Sequence, residues 1–401
     1  MIDEILTNDL LFRRQRIRTA ICEAGLDGML LFTDVNLFYL TGRVFSGYFY
    51  LPAEGEPVFF VRRPIDFLGG RVFHISKPES IPEFFLANGW TLPQQIFLET
   101  DVLSYNECLR LQAIFNFRKI ENATPLLRRF RMFKTPWEIG QLRFSAECHA
   151  ALYAQIRTCY RPGMTDLQLQ AAIEYQMRLL GSIGVFRVFG PNMNIFMGSL
   201  LTGENAAVPS PFDFALGGGG QTAYCPVGAN GTVLRDGMAV MVDMVGNYTA
   251  YLSDMTRVFS IGRLPEAAYR AHQVALEIQA MVEAVARPGG ACADLYNRAY
   301  AMVEKAGLTP YFMGHKQQAK FIGHGIGLEI NEPPVFAPRS KESLETNMTF
   351  ALEPKFVIPQ VGAVGIENSY LVTETGLEKL TLFDENIQEL MECISIATEV
   401  S

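Results

Sequence analysis

Residues 238–245 read MAVMVDMV, an aliphatic run broken by one charge, Asp243. A short continuous apolar run of this kind is the pattern of a buried strand. An ionised carboxylate inside such a strand is costly unless it is paired or bound to a metal. Asp254 follows eleven residues later, after Gly246, Asn247 and Tyr248, a turn signal that folds the two segments into a hairpin. Two acids brought to neighbouring positions on a hairpin repel unless a cation lies between them. The pattern recurs: Glu353 sits in 348–356 (MTFALEPKF), and Glu367, fourteen residues on, in 364–372 (VGIENSYLV). A single buried acid is most often half of a structural ion pair. Four placed so regularly point to a metal. His324, within 321–328 (FIGHGIGL), is the candidate imidazole ligand, and its flanking glycines suit close backbone approach in a crowded centre or in any tight turn.

Outward from these acids the chain echoes itself. One helix stops at Arg161, Pro162 and Gly163, and Thr165 with Gln168 forms a capping box that opens the next. A second helix, with Val274, Ile278, Met281, Val282 and Val285 on one face, stops at Arg287, Pro288 and Gly289, and another begins near Asp294 and Leu295. Each helix pair precedes a β-rich stretch that carries two of the acids. This spacing predicts an α+β domain with an internal pseudo-two-fold duplication and its site between the halves. Chance recurrence of Pro-Gly, a common helix stop, is the alternative.

The first 133 residues have the size and pattern of a separate α/β domain. A helix over Phe12–Gly25 leads to a strand at Gly28–Phe32, a loop at 33–36, the segment Phe38–Gly42 and a strand over Pro57–Val61. The pattern breaks at 131–137 (RMFKTPW), where Pro136 suits the first turn of a helix running from Glu138 to Tyr160. The expected division is therefore 1–133 and 134–401. A net charge of −8 argues against nucleic acid, and no apolar run reaches the roughly twenty residues of a membrane helix. The first residues lack the apolar core of a secretory signal, and the seven cysteines show no CxxC pairing, so the expected setting is a reducing cytoplasm. Gly217–Gly220 lacks the Lys-Ser/Thr that follows a phosphate-binding loop, Cys225 has no base beside it, and 45–50 reads as core or subunit interface.

Taken in order, Val242-Asp243, Asp254 to Arg257, Gly323 to Leu328, Leu352 to Pro354 and Gly365 to Asn368 resemble the motifs of the pita-bread metallopeptidases, the family of aminopeptidase P, prolidase and methionine aminopeptidase. Asn36, Tyr39 to Gly42 and the junction Phe133 to Ile139 resemble the creatinase/prolidase-type N-terminal domain and its linker. The resemblance spans nearly the whole chain. It implies a pita-bread C-terminal domain holding two divalent metal ions with Asp243, Asp254, His324, Glu353 and Glu367. Mn²⁺ or Co²⁺ suits this hard, oxygen-rich set best, with Zn²⁺ or Fe²⁺ as alternatives. Two such ions can share a hydroxide aimed at a carbonyl carbon, and Glu353 would handle its proton. A small peptide cut at an Xaa-Pro bond is the implied substrate, and a homodimer the implied assembly.

The chain departs from that pattern at three places. Asn331 stands where a second His is usual, Ser210 where a His follows Pro209, and Gly365 where prolidases tend to carry Arg. The missing histidines normally contact the substrate. His315, nine residues before His324, is the candidate replacement as catalytic proton donor. A second reading keeps the metal site but turns it to a non-peptide amide or a lyase reaction, and a third is a peptide-binding protein without catalysis.

Overall fold

The structure, a computed structural model, describes residues 4–67, 70–190, 197–212 and 214–390. The chain falls into two units, Met1–Arg131 and Met132–Ser401.

The first unit is built on a six-stranded mixed sheet in the order Arg71–His74, Val58–Arg63, Ser46–Pro52, Gly28–Leu31, Gln95–Leu98 and Lys119–Asn122. Leu30, Phe60, Ile96, Leu98, Leu111 and Phe115 fill one face. The segment after the first strand differs from expectation, because Asp34–Thr41 is a helix and not a loop. Its end is local: Gly42, at φ 70°, closes it by donating its N–H to Phe38 O. Its start is not. The buried Glu99 carboxylate accepts from Phe32 N at 2.7 Å, Thr33 N at 3.0 Å and Asn36 Nδ2 at 2.6 Å, placing a negative charge at the helix N-terminus.

In the second unit, the helix after the junction runs over Pro136–Tyr153, with Thr135 and Glu138 as a reciprocal capping box. It stops seven residues short of Tyr160, and a separate turn of helix covers Ile156–Cys159. The capping box at Thr165 and Gln168 opens Asp166–Leu179, and the second pair of helices spans Glu266–Val285 and Cys292–Ala306. Each pair has its own sheet. The first is ordered Gln388–Glu389, Ser253–Ser260, Ala239–Gly246, Gly198–Thr202; the second Glu332–Val335, Gly323–Gly325, Thr349–Leu352, Asn368–Val372, Leu377–Lys379. A hairpin of Lys355–Ile358 and Gly362–Gly365 connects Glu353 to Glu367.

Register aims the acids. Val245 lies opposite Asp254 and Asp243 opposite Thr256, so period-two alternation puts both aspartates on one face. Leu352 pairs with Asn368, which leaves Glu353 and Glu367 side by side at the end of their ladder. An isolated bridge between Thr256 and Glu367 then ties the two sheets together. Among the described residues no helix is long and apolar enough to cross a membrane.

Behind the first hairpin, His149 on Pro136–Tyr153 is fully buried, its Nδ1 3.1 Å from Ser253 Oγ. Its ring lies so close to Gly246 that a β-carbon there would fall 2.7 Å from Cγ. Burial, helped by the Arg257 charge, lowers its pKa from 6.5 to about 3. A histidine with a depressed native pKa stabilises the fold above its unfolded value, and that contribution is lost as pH falls from 6.5 towards 3. Urea unfolding of the wild-type protein should therefore weaken by up to about 1.4 kcal/mol per pH unit in that window relative to His149→Phe. Parallel slopes for the two proteins would contradict this assignment.

Candidate metal centre

The floor of a cavity of about 420 Å³ is formed where the two hairpins meet, and Asp243, Asp254, His324, Glu353 and Glu367 all line it. The structure thus brings together the five residues singled out in the sequence. Asp254, His324 and Glu367 each place one donor atom within 4.8 Å of the others, an arrangement able to hold an ion. His324 Nε2 lies 3.5 Å from Glu353 Oε1, 3.8 Å from Asp254 Oδ2 and 4.0 Å from Glu367 Oε1. Its Nδ1 is 3.2 Å from Gly325 O, so the tautomer with the proton on Nδ1 turns the Nε2 lone pair towards the carboxylates.

The acids are held from behind. Thr256 Oγ1 donates to Glu367 Oε2 at 2.7 Å, and Arg257 Nη1 donates to Glu367 O at 2.9 Å. Ser369 Oγ accepts from Asp254 N and donates to Asp254 O. Burial, then the charges of Glu367 and Asp243, push the Asp254 carboxyl well above its ordinary range. Burial also raises Asp243, against the pull of Lys355. Carboxylates crowded this way stay ionised only where cationic charge offsets them.

One cation is already supplied by the chain. Lys355, buried on the hairpin after Glu353, places Nζ 2.7 Å from Glu353 Oε2, 2.8 Å from Asp243 Oδ2 and 3.0 Å from Glu367 Oε2. Burial works against its charge, but the three carboxylates outweigh burial and carry its pKa well above the usual lysine value. Sequence reasoning passed over this residue, although the signal was present. Lys355 is a charge in an apolar run, two positions from Glu353 and hence on the same face of an extended chain. The expectation of two metal ions thus meets an ammonium group lodged among three of the carboxylates. What remains open to a metal is the side on which Asp254, His324, Glu353 Oε1 and Glu367 Oε1 converge.

The loop around His324 owes its shape to close packing. A β-carbon at Gly325 would lie 2.0 Å from Pro333 O, and one at Gly323 2.4 Å from Ala351 O. Next to it, Lys134 of the junction motif forms a buried ion pair with Glu332 at 3.0 Å, and Glu332 Oε1 accepts from the N–H groups of Leu328 and Glu329. The conspicuous Phe133–Ile139 motif is therefore a brace for the histidine loop as well as a helix start.

The remaining candidates lie apart. His315 does not line the cavity: it is exposed, its ring stacked on Tyr311 and its Nδ1 3.4 Å from Pro310 O. The turn carrying it lines a neighbouring cleft shared with Ser210. Ser210 Oγ donates to Pro226 O and accepts from Phe212 N. Asn331 does line the cavity, but its carboxamide clasps the Phe189 backbone, donating to its carbonyl at 2.7 Å and accepting from its N–H at 2.8 Å. Gly365, at φ 140°, faces Lys355 across the hairpin, and a β-carbon there would lie 2.4 Å from Pro354 O. An arginine has no place at that position in this chain.

Comparison with known proteins agrees with this architecture. Residues 140–374 match the model of metallopeptidase family M24, and residues 13–133 match the creatinase/prolidase N-terminal domain. An Xaa-Pro dipeptidase of Pyrococcus furiosus is 24% identical over 376 residues, covering 92% of this chain and 97% of that protein. The fold is shared with an Xaa-Pro dipeptidase from Bacillus anthracis, at TM-score 0.79 and 23% identity over 95% of this chain and 99% of that one. An X-Pro aminopeptidase from Thermotoga maritima gives TM-score 0.77 and 23% identity, over 94% and 99% of the two chains.

Two outcomes follow from the geometry. Lys134→Met should cost about 3–5 kcal/mol in denaturant unfolding by removing the ammonium from the buried pair, with Lys134→Met/Glu332→Leu recovering much of the loss. Substitution of His315 by Ala should leave turnover of any substrate unchanged in steady-state assays, and a lowered kcat would restore it to the site.

Proposed function

The chain belongs to metallopeptidase family M24 and is a metallohydrolase, and on that footing we propose that it cleaves small peptides at Xaa-Pro bonds, with Asp254, His324, Glu353 and Glu367 as metal ligands and Asp243 beside them. The observation that carries this reading is the convergence of one imidazole nitrogen and three carboxylates on the floor of an apolar-walled cavity. The donor set is hard and lacks thiolate, which favours Mn²⁺ or Co²⁺ over the softer structural role of zinc. A bound divalent ion there supplies Lewis acidity towards a carbonyl oxygen and lowers the pKa of water.

The residues of the chain account for the rest. Phe186, Phe189, Phe214, Val245 and Ile330 offer a dry wall suited to a pyrrolidine ring. Glu353, oriented by its hydrogen bond from the Lys355 ammonium, is placed to take the proton from attacking water and return it to the leaving nitrogen. Among the described residues that line the cavity there is no Arg or Lys to match a free substrate carboxylate. That favours a peptide extending beyond proline over a strict dipeptide. The reading carries with it a cytoplasmic setting and a homodimer.

A second reading has its own observation. Asn331 is committed to the Phe189 backbone and Ser210 faces another cleft, so the groups that would contact the peptide around the scissile bond are turned to structure. This favours a non-peptide amide as substrate at the same centre.

The two readings part in one assay. Metal-stripped protein reloaded with Mn²⁺, Co²⁺ or Zn²⁺ is presented with Xaa-Pro dipeptides, Xaa-Pro-Xaa tripeptides and small cyclic and acyclic amides. Metal-dependent tripeptide cleavage that Asp254→Ala abolishes and Glu353→Gln lowers by about 10²–10⁴ is the expected result. Cleavage confined to the amides would transfer the assignment to the second reading.

A further inference from the structure

We propose that Lys355 permanently occupies one of two cation places in this centre, so that the protein binds a single divalent ion where the sequence motifs alone imply a pair. The proposal rests on the reading of Asp254, His324, Glu353 and Glu367 as metal ligands, and adds to it the number of ions.

The geometry is specific. An ammonium group has three N–H donors and no acceptor. In Lys355 three carboxylate oxygens stand at hydrogen-bonding distance, Glu353 Oε2 at 2.7 Å, Asp243 Oδ2 at 2.8 Å and Glu367 Oε2 at 3.0 Å. Glu353 and Glu367 each divide their two oxygens: Oε2 goes to the ammonium, and Oε1 turns to the side where His324 Nε2 lies. These two carboxylates therefore bridge from the lysine to one metal place, as they would bridge between two ions. Asp254, His324 and Glu367 form the group of converging donor atoms; Glu353 and Asp243 lie outside it, Glu353 with Oε1 3.5 Å from His324 Nε2 and Asp243 with Oδ2 on the lysine.

Charge and space agree. Three buried carboxylates and the half-buried Asp243 would be balanced by about four charges, which two divalent ions would supply. One ion with Lys355 supplies three, leaving a site that carries one more negative charge than a two-ion centre. Lys355 is itself only 1% exposed. Gly365 faces it across the hairpin, with room for no side chain, so the backbone beneath the lysine is closely packed. For a second ion to enter, the ammonium would have to leave all three partners together.

The chemical consequence is a division of labour. A single ion would supply the Lewis acidity, and the fixed N–H groups of Lys355 hold Asp243, Glu353 and Glu367 in position. Lys355 is a positioning residue in this scheme.

Full-length protein, stripped with a chelator and reloaded with Mn²⁺, provides the test through elemental analysis and low-temperature electron paramagnetic resonance. Wild-type protein should saturate at one Mn²⁺ per chain, with the six-line spectrum of an isolated ion. Lys355→Ala, loaded during refolding, should take two and show exchange coupling between them; Lys355→Met, which keeps the stem, serves if the alanine variant does not fold. Two ions or a coupled signal in the wild-type protein would overturn the proposal, as would a wild-type protein that binds none. A lysine variant that still stops at one ion would equally overturn it, since the ammonium would then not be what excludes the second. The outcomes stay separable from the peptidase reading. One bound ion without Xaa-Pro cleavage leaves this inference standing and removes that reading, and cleavage with two ions does the reverse.

Discussion

Four carboxylates out of water at one seam are the constraint around which the C-terminal unit is arranged. Asp243 and Asp254 come from one hairpin, Glu353 and Glu367 from the ends of another ladder, and burial pushes the carboxyls of the two aspartates above their ordinary range. Offsetting charge must come from a cation, and the chain provides one in Lys355. The first half by itself holds two like charges, and the second carries two more together with the lysine. Together they form a site in which a lysine and a metal ion can balance those charges, which links the fold of the duplicated domain to its function.

A site of this kind works only if its ligands are rigid, because a displaced carboxylate oxygen binds water in place of metal. The supporting contacts meet that need across long stretches of sequence. Arg257 and Thr256 grip Glu367, Ser369 grips the Asp254 backbone, and Lys134 braces the loop of His324 through Glu332. The glycines at 323 and 325 let neighbouring strands approach to distances no side chain permits. Backbone packing and buried charge thus serve one end, the fixed placement of five side chains.

The cavity above the centre is where this chain departs from the pattern of its relatives. Apolar walls and a Glu353 side chain held by Lys355 suit amide hydrolysis in general. The groups that would recognise a particular amide differ. Asn331 is spent on the Phe189 backbone, Gly365 is confined by packing, and no guanidinium is among the described residues of the lining. Chemistry and specificity are therefore carried by separate sets of residues. The acid cluster and its supports carry the first, and the cavity wall carries the second.

What the sequence by itself determined was local. A charge inside an aliphatic strand is visible in a window of eight residues, so Asp243, Asp254, Glu353 and Glu367 could be picked out together with His324. The capping boxes at Thr135 and Thr165 are equally local, a hydroxyl and an acceptor three residues apart. Tertiary structure decided everything that depends on a distant partner. The helix Asp34–Thr41 needs the Glu99 carboxylate at its start, more than sixty residues along the chain. His315 is turned to solvent by the course of its own turn, which its spacing from His324 does not encode. Lys355 stood in plain view beside Glu353, yet its meaning lies in Asp243, 112 residues away, and in Glu367 across a hairpin. An ammonium becomes part of a metal centre only when folding removes water from around it and leaves carboxylates as its sole partners.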